Sequence, residues 1–261
     1  MIQLSEDHYE LLLEPLKQVD FNTLFIRSVI AGHTGGKVFV DSMRNPTSFY
    51  AVHSYGMSLL FGNANNDRFN SDLYNYFNQK NETRNRDEWL QAHPRAWDTL
   101  LESIVNAGRA TRYNRLNFRF DKDEFEKSNS LLSFENYTVV PTTASMFSSI
   151  KGSVTPRVFW RDEQQFSGKA SFTAMVDGEP ASTAFTSYRH DEMLEIGIET
   201  EEKYRGRGLA RAVCVKLINY CIENNLKPMW SCCLENAAST NLAKKLGFQE
   251  TVCMPYYHIP A

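Results

Sequence analysis

No run in this 261-residue chain approaches the roughly 18 apolar residues that a membrane-crossing helix requires. The first twenty residues lack the basic start and unbroken apolar core of a secretory signal, since Glu6, Asp7, Glu10 and Glu14 interrupt their leucines. These absences predict a cytoplasmic protein with no membrane partner. Thirteen glycines and nine prolines are too few for a collagenous or low-complexity chain. Basic surplus is missing too. The net charge is −3 and the pI near 6.1, which argues against a nucleic-acid partner. There is no CxxC pair, and the adjacent Cys232 and Cys233 are not at zinc spacing. Cys214, Cys221, Cys232, Cys233 and Cys253 are therefore expected to be buried reduced thiols, with no metal site.

What is present is an ordinary globular composition, 42% hydrophobic and 23% charged, in a chain long enough for two modest domains. From Tyr137 onward the chain carries 13 basic and 13 acidic residues, so any anion site there has to be local. The N-terminal half reads as mixed α/β. Tyr9, Leu12, Leu13, Leu16 and Val19 recur at helical spacing, and Lys37–Asp41 reads as a short strand. Ser48–His53 and Met57–Phe61 read as a hairpin across Tyr55-Gly56. Leu73, Tyr74 and Phe77 give a helical stripe, and Pro94 opens a helix through Val105. In Arg115–Phe120, Leu116, Phe118 and Phe120 alternate with Arg115, Asn117 and Arg119, which predicts a strand with one solvated face. His33, His53 and His93 are scattered and read as ordinary surface or core histidines. Asp121–Ser130 is charged and linker-like, placing a domain boundary at residues 134/135. The sequons at Asn81 and Asn136 are expected to be idle.

Beyond that boundary the pattern is sharper. Ala170–Val176 and Ala181–Tyr188 flank Asp177-Gly178, a strong hairpin signal. Strand Met193–Thr200, a helix from Gly208, strand Lys227–Cys233, helix Ala237–Leu246 ended by Gly247, and strand Thr251–Tyr257 follow. The order β-β-β-α-β-α-β predicts an α/β fold with a mixed sheet.

The chemistry-bearing stretch is Ile196-Gly-Ile-Glu-Thr-Glu-Glu-Lys-Tyr-Arg-Gly-Arg-Gly-Leu-Ala210. A strand runs into a glycine- and arginine-rich loop and then a helix, whose free amides and positive dipole end suit a diphosphate. Gly206 and Gly208 leave the backbone open to close approach, and Arg205, Arg207 and Arg211 add local charge. A Rossmann fingerprint is excluded because Arg211 stands where the third glycine belongs. A P-loop is excluded because GxxxxGK[ST] is absent.

Arg205-x-x-Gly208-x-Ala210 is similar to the Arg/Gln-x-x-Gly-x-Gly/Ala signature of the GCN5-related N-acetyltransferases (GNAT). Asn236-x-x-Ser239-x-x-Leu242-Ala-x-x-Leu246-Gly-Phe248 resembles that family's second block, and the two lie in the family's order within residues 170–257. The combination also resembles the zwittermicin A resistance acetyltransferase-like subgroup, which carries an N-terminal extension.

The resemblance implies a C-terminal GNAT domain over residues 135–261. Residues 1–134 would then be an N-terminal α/β domain, either a substrate cap or a degenerate second GNAT-like copy. It implies acetyl-CoA as co-substrate and transfer of the acetyl group to a primary amine of a small molecule, an amino-bearing antibiotic or metabolite among the acceptors. The pantetheine arm would pair with the backbone of Ile198 and Thr200. The amides of Arg205, Gly206, Arg207, Gly208, Leu209 and Ala210 would hold the diphosphate, with Asn236 and Ser239 assisting. Asn is equally at home as a helix N-cap. Glu195 and Glu192 are the candidate bases, with Glu199 on the same face as Glu195, and the amide of Ile198 would meet the oxyanion. The family's usual tyrosine acid is replaced by Ala243, leaving Tyr256, Tyr257 or an unaided thiolate. That departure keeps an alternative open, a non-catalytic acyl-CoA-binding or regulatory module. The oligomeric state is open, a homodimer being one arrangement.

Overall fold

The fold was taken from a computed structural model, which describes residues 1–78, 84–129 and 137–261. The strands are β1 (Ile2–Gln3), β2 (Gly36–Val40), β3 (Ser48–His53), β4 (Met57–Gly62), β5 (Glu88–His93), β6 (Thr111–Phe120), β7 (Thr138–Pro141), β8 (Ser171–Val176), β9 (Glu179–His190), β10 (Met193–Thr200), β11 (Lys227–Cys233) and β12 (Phe248–Ile259). The helices are α1 (Leu13–Leu16), α2 (Leu24–Ile30), α3 (Asp67–Asn78), α4 (Asp98–Asn106), α5 (Lys122–Asn129), α6 (Pro156–Phe159), α7 (Glu163–Phe166), α8 (Leu209–Glu223) and α9 (Ala237–Lys245).

The chain divides into two compact units. One comprises Met1–Leu116, Cys233–Glu235 and Cys253–Ala261, and the other Asn117–Cys232 and Asn236–Val252. The expected boundary at 134/135 and the sequons at Asn81 and Asn136 lie outside the described residues.

In the first unit the sheet order is β1-β2-β3-β4-β5-β12-β6, counting that unit's parts of β12 and β6. Every residue of β3 is buried, because both faces of the sheet are covered. Phe39, Tyr50, Val52 and Leu60 pack on one face against Phe69, Leu73, Trp97 and Leu101 of α3, α4 and the turn between β5 and α4. Val38, Phe49, Ala51 and Leu59 pack on the other against Leu12, Leu16, Phe25 and Val29. In the second unit β7-β8-β9-β10 are antiparallel neighbours, and β11 lies parallel to β10. The β8–β9 turn has positive φ at both Asp177 (51°) and Gly178 (83°), the geometry that the Asp-Gly pair encodes.

The two units repeat one order. β2-β3-β4 run antiparallel, α3 crosses over, and β5 returns parallel to β4. β8-β9-β10 run antiparallel, α8 crosses over, and β11 returns parallel to β10. The N-terminal unit therefore has the topology expected of a degenerate second copy.

Four expectations need correction. The opening helical stripe is a tight 3₁₀ segment (Glu6–Leu12) running into the single turn of α1, where Pro15 removes a backbone donor. Asp121–Ser130 is no linker. Its residues 122–129 form α5, which buries Phe125 against Phe120. The arginine face of β6 is not solvated along its length, because Arg115 and Asn117 are only 8% and 6% exposed. All five thiols are free, yet Cys253 is exposed and Cys233 half-buried, against the expectation that all five are buried.

Candidate active site

The second unit has an opening at the middle of its sheet. β10 pairs with β11 only from Met193↔Lys227 to Glu195↔Met229. From Ile196 to Thr200 it remains bonded to β9 alone. The irregularity that accompanies this parting is on β9: Tyr188 pairs Glu195 and Thr186 pairs Ile196, so Ser187 is the extra residue. β10 itself keeps its pleat, and Glu195, Gly197 and Glu199 share one face. A Cβ at Gly197 would run into the Phe185 ring, which explains the glycine.

The direction of the backbone groups follows from the ladder. Glu201 N–H donates to Ala181 O at 3.0 Å, so Glu199 and Gly197 also face β9, and Ile198 and Thr200 face the opening. Ile198 presents both of its backbone groups there. Thr200 is already engaged. Its N–H meets Glu199 Oε1 at 3.2 Å and its carbonyl accepts from Arg205 Nε at 3.3 Å.

Beyond β10 the loop turns through Gly206 and Gly208, both at φ 79°, a conformation that side-chain-bearing residues rarely adopt. The space where a Cβ would stand at either glycine is open. Gly208 is the cap of α8 and offers no side chain to its amides. Among the described residues, no acceptor meets the amides of Gly206, Arg207, Gly208, Leu209, Ala210 or Arg211. Arg205 is the exception to the sequence expectation, because its amide is bonded to Glu202 O at 3.2 Å. The cationic side chains ring the loop. Lys203 Nζ and the Arg207 guanidinium lie 4.6 and 5.4 Å from the centre of the Tyr204 ring. Arg211 turns away to Asn129 Oδ1 (2.9 Å) and Ser128 O (2.6 Å), so it serves the packing of α5.

Asn236 has the capping role: its Oδ1 accepts Ser239 N–H at 3.0 Å at the start of α9. The Ser239 hydroxyl accepts from Trp230 Nε1 at 3.2 Å. These bonds fix the first turn of α9 against Trp230 of β11, just beyond the last β11 residue paired to β10.

The candidate bases separate. Glu195 stands at the vertex, the last β10 residue paired to β11, and Ser231 Oγ lies 3.4 Å from its Oε1. Glu192 is a surface residue in the turn before β10 and pairs with Lys227 Nζ at 3.0 Å. Hydrogen bonds from its own amide and from Lys227 hold its carboxyl below the usual carboxylate range. It is not brought to the opening. Glu199, only 11% exposed, has a role that the sequence did not reveal. Its Oε2 accepts Ser153 N–H (2.8 Å), Val154 N–H (2.9 Å) and Ser153 Oγ–H (3.2 Å). A Cβ at Gly152 would strike its side chain, so this glycine lets the loop close over the carboxylate.

The tyrosine alternatives are poor acids. Tyr257 sits in the core of the first unit with its hydroxyl on Glu102 at 3.2 Å, and burial with the Asp98 and Glu102 charges raises its pKa. Burial pushes Tyr256 up to about 12. Ala243 is fully buried and contributes packing only. Among the described residues, no helix is long and apolar enough to cross a membrane, and no metal-holding cluster of His, Cys, Asp or Glu occurs.

A model of the GNAT acetyltransferase family matches residues 14–257. The chain is 26% identical over 235 residues to an uncharacterized N-acetyltransferase, YdfB, of Bacillus subtilis (strain 168), covering 90% of this chain and 89% of YdfB. Among solved structures it is similar to a GCN5-related N-acetyltransferase-like protein from Streptococcus suis 89/1591, with TM-score 0.73, 21% identity and coverage of 98% and 100% of the two chains. It is also similar to a tandem GNAT protein from the clavulanic acid biosynthesis pathway, with TM-score 0.63, 10% identity and coverage of 99% and 97%. Identities this low speak for the fold alone, and the tandem relative agrees with the repeated strand–helix order. Since the family match spans nearly the whole chain, this protein belongs to the GNAT acetyltransferases and is an acyl-transferring enzyme.

Proposed function

We propose that the second unit binds acetyl-CoA along the parted edge of β10 and passes the acetyl group to a primary amine of a small molecule, an amino-bearing antibiotic or metabolite. The observation that carries this reading is one juxtaposition: the β10–β11 ladder ends at Glu195↔Met229, and the loop after β10 leads to amides that have no acceptor among the described residues. A coenzyme has an extended amide arm and a linked diphosphate, and these two features match a free strand edge followed by a helix N-terminus.

In this reading the diphosphate takes the amides of Gly206 to Ala210. The Ile198 backbone pairs with the arm, and its N–H meets the oxyanion as the amine attacks. Thr200 joins the arm only by exchanging its bond to Glu199. Glu195, directly or through water, takes the proton from the attacking nitrogen. The carbon–sulfur bond then breaks, and the departing thiolate, of pKa about 8.5, needs no strong acid. That suits a protein with Ala243 in place of tyrosine. The catalytic region is assigned to residues 135–261 of a cytoplasmic enzyme.

The test is a thermal-shift titration with acetyl-CoA followed by a thiol-release assay across an amine panel. Stabilisation that saturates, with thiol release for some amines, is expected; no stabilisation at millimolar acetyl-CoA overturns it. The alternative of a non-catalytic acyl-CoA-binding or regulatory module is favoured by Ala243, and saturable binding without thiol release for any amine would establish it.

A further inference from the structure

Glu199 uses its two carboxylate oxygens for different partners. Oε2 accepts Ser153 N–H, Val154 N–H and the Ser153 hydroxyl, at 2.8, 2.9 and 3.2 Å. Oε1 accepts Thr200 N–H at 3.2 Å and stands 3.8 Å from the Arg205 guanidinium. Arg205 in turn gives its Nε–H to the Thr200 carbonyl at 3.3 Å. One carboxylate thus bridges the 151–154 loop and the outer rung of the parted β10 edge, and an arginine completes the closure of that rung.

Thr200 is held from its other side as well. Its hydroxyl lies 2.7 Å from Ser182 Oγ on β9, and the next amide, Glu201 N–H, donates to Ala181 O at 3.0 Å. The backbone is therefore fixed, and only the two side chains can open the rung. A bare strand edge is a template for pairing with any extended chain, and charged side chains folded over it block that. The two oxygens of Glu199 are tied unequally. Oε2 has three donors, two of them below 3 Å, which leaves it no lone pair for a substrate proton. Oε1 has a single bond at the long end of the normal range. An extended amide arm offers Thr200 a carbonyl and an N–H in place of the two side chains, so the exchange gives up only the weaker grip of Glu199.

We propose that Glu199 is a positioning residue: it closes the Thr200 rung of the empty enzyme, gives way there to the coenzyme arm, and keeps the 151–154 loop clipped throughout. The displacement rests on the reading of β10 as the coenzyme edge; the closure does not.

Glu199→Gln separates the two oxygens. The amide oxygen can replace Oε2 for the loop, whereas the NH₂ group cannot accept from Thr200 N–H. On the ligand-free full chain, amide hydrogen exchange followed by NMR should show Thr200 exchanging at least threefold faster in the variant. Ser153 and Val154 should keep their protection, and Tm should stay within a few degrees. Calorimetry then compares acetyl-CoA with ADP, which has two linked phosphates and no arm. The ratio of acetyl-CoA to ADP affinity should rise at least threefold in the variant, whereas a merely structural role would move Tm and both ligands together. Unchanged exchange at Thr200 overturns the closure, and so does loss of protection at Ser153 and Val154 along with it. Faster exchange with an unchanged affinity ratio overturns the displacement. If the parent chain binds no acetyl-CoA, the coenzyme reading falls and the displacement with it, while the exchange result still decides the closure.

Discussion

Glu195 and Met229 are the last partners of the β10–β11 ladder, and beyond them the two strands part. In the first unit the equivalent parallel pair, β4 and β5, stays in register from Met57↔Trp89 to Phe61↔His93. The difference is not confined to the strands. The segment after β4 satisfies its own amides, since Asn63 Oδ1 accepts from Asn65 N–H and Asn66 Oδ1 accepts from Phe69 N–H. After β10, Gly208 stands at the helix start, where Asn66 precedes α3, and offers no side chain to the amides. One fold has thus been used twice, with the strand edge and helix start closed in one copy and left available in the other.

The first prediction concerns the left-handed turn. Gly208→Ala forces a Cβ into φ 79°, at a cost of roughly 1–2 kcal/mol, although nothing stands in the Cβ's way. The chain should relieve this by rotating the amides of the first α8 turn. Calorimetry should show acetyl-CoA affinity falling at least tenfold while Tm drops by only a few degrees; unchanged affinity would remove this turn from the coenzyme site.

Glu195 and Glu192 were indistinguishable as bases in the sequence, and their settings now separate them. Glu195→Gln should lower kcat by about 10²–10⁴ with acetyl-CoA affinity intact, the range for losing a general base. Glu192→Gln breaks only a surface pair with Lys227 and should leave kcat unchanged. Equal effects in the two variants, read by thiol release, would remove Glu195 from the mechanism.

Glu199→Ala tests a different role. It removes the acceptor for Ser153 and Val154 and frees Thr200 N–H. Four charge-assisted bonds to one largely buried carboxylate are lost, so Tm should fall by several degrees. Limited proteolysis should cut newly near residues 151–154. Intact Tm and an unchanged digest would show that the anchor carries no weight.

How much of this was legible beforehand differs by element. The Asp177-Gly178 hairpin was, because two consecutive positive φ values demand that chemistry. So was α8, whose apolar spacing and glycine start are local. β5 was missed because it is buried on both sides and carries Glu88 and Gln91, which break any alternation. Alternation misled at β6, since the pattern cannot tell water from the buried Tyr256 ring that covers Arg115. The parting of β10 from β11 could not be read from the residues themselves. It depends on register between strands separated by a whole helix, and only the family resemblance pointed to it, by implying that the Ile198 and Thr200 backbone pairs with a pantetheine arm. Glu199 carried the weaker signal of sharing Glu195's face.

The last prediction follows from His53, which the sequence reads as an ordinary surface or core histidine. His53 is buried in the first unit, its Nδ1 accepting Tyr55 N–H at 2.9 Å. Burial, with the Arg86 charge adding to it, pushes its pKa from 6.5 to about 3. The folded chain therefore keeps this ring neutral while the unfolded chain protonates it below pH 6.5. Stability from this group is complete above pH 6.5 and is lost as the pH falls toward 3, at up to ~1.4 kcal/mol per pH unit. Carboxylates titrate in the same range, so the total slope alone proves nothing. The difference between the parent chain and His53→Gln isolates the ring, because both carry the same carboxylates. Urea unfolding at pH 6.5, 5.5 and 4.5 should show the parent losing about 2 kcal/mol more than the variant across that span. Parallel losses in the two proteins would mean that His53 takes up its proton in the folded state without cost.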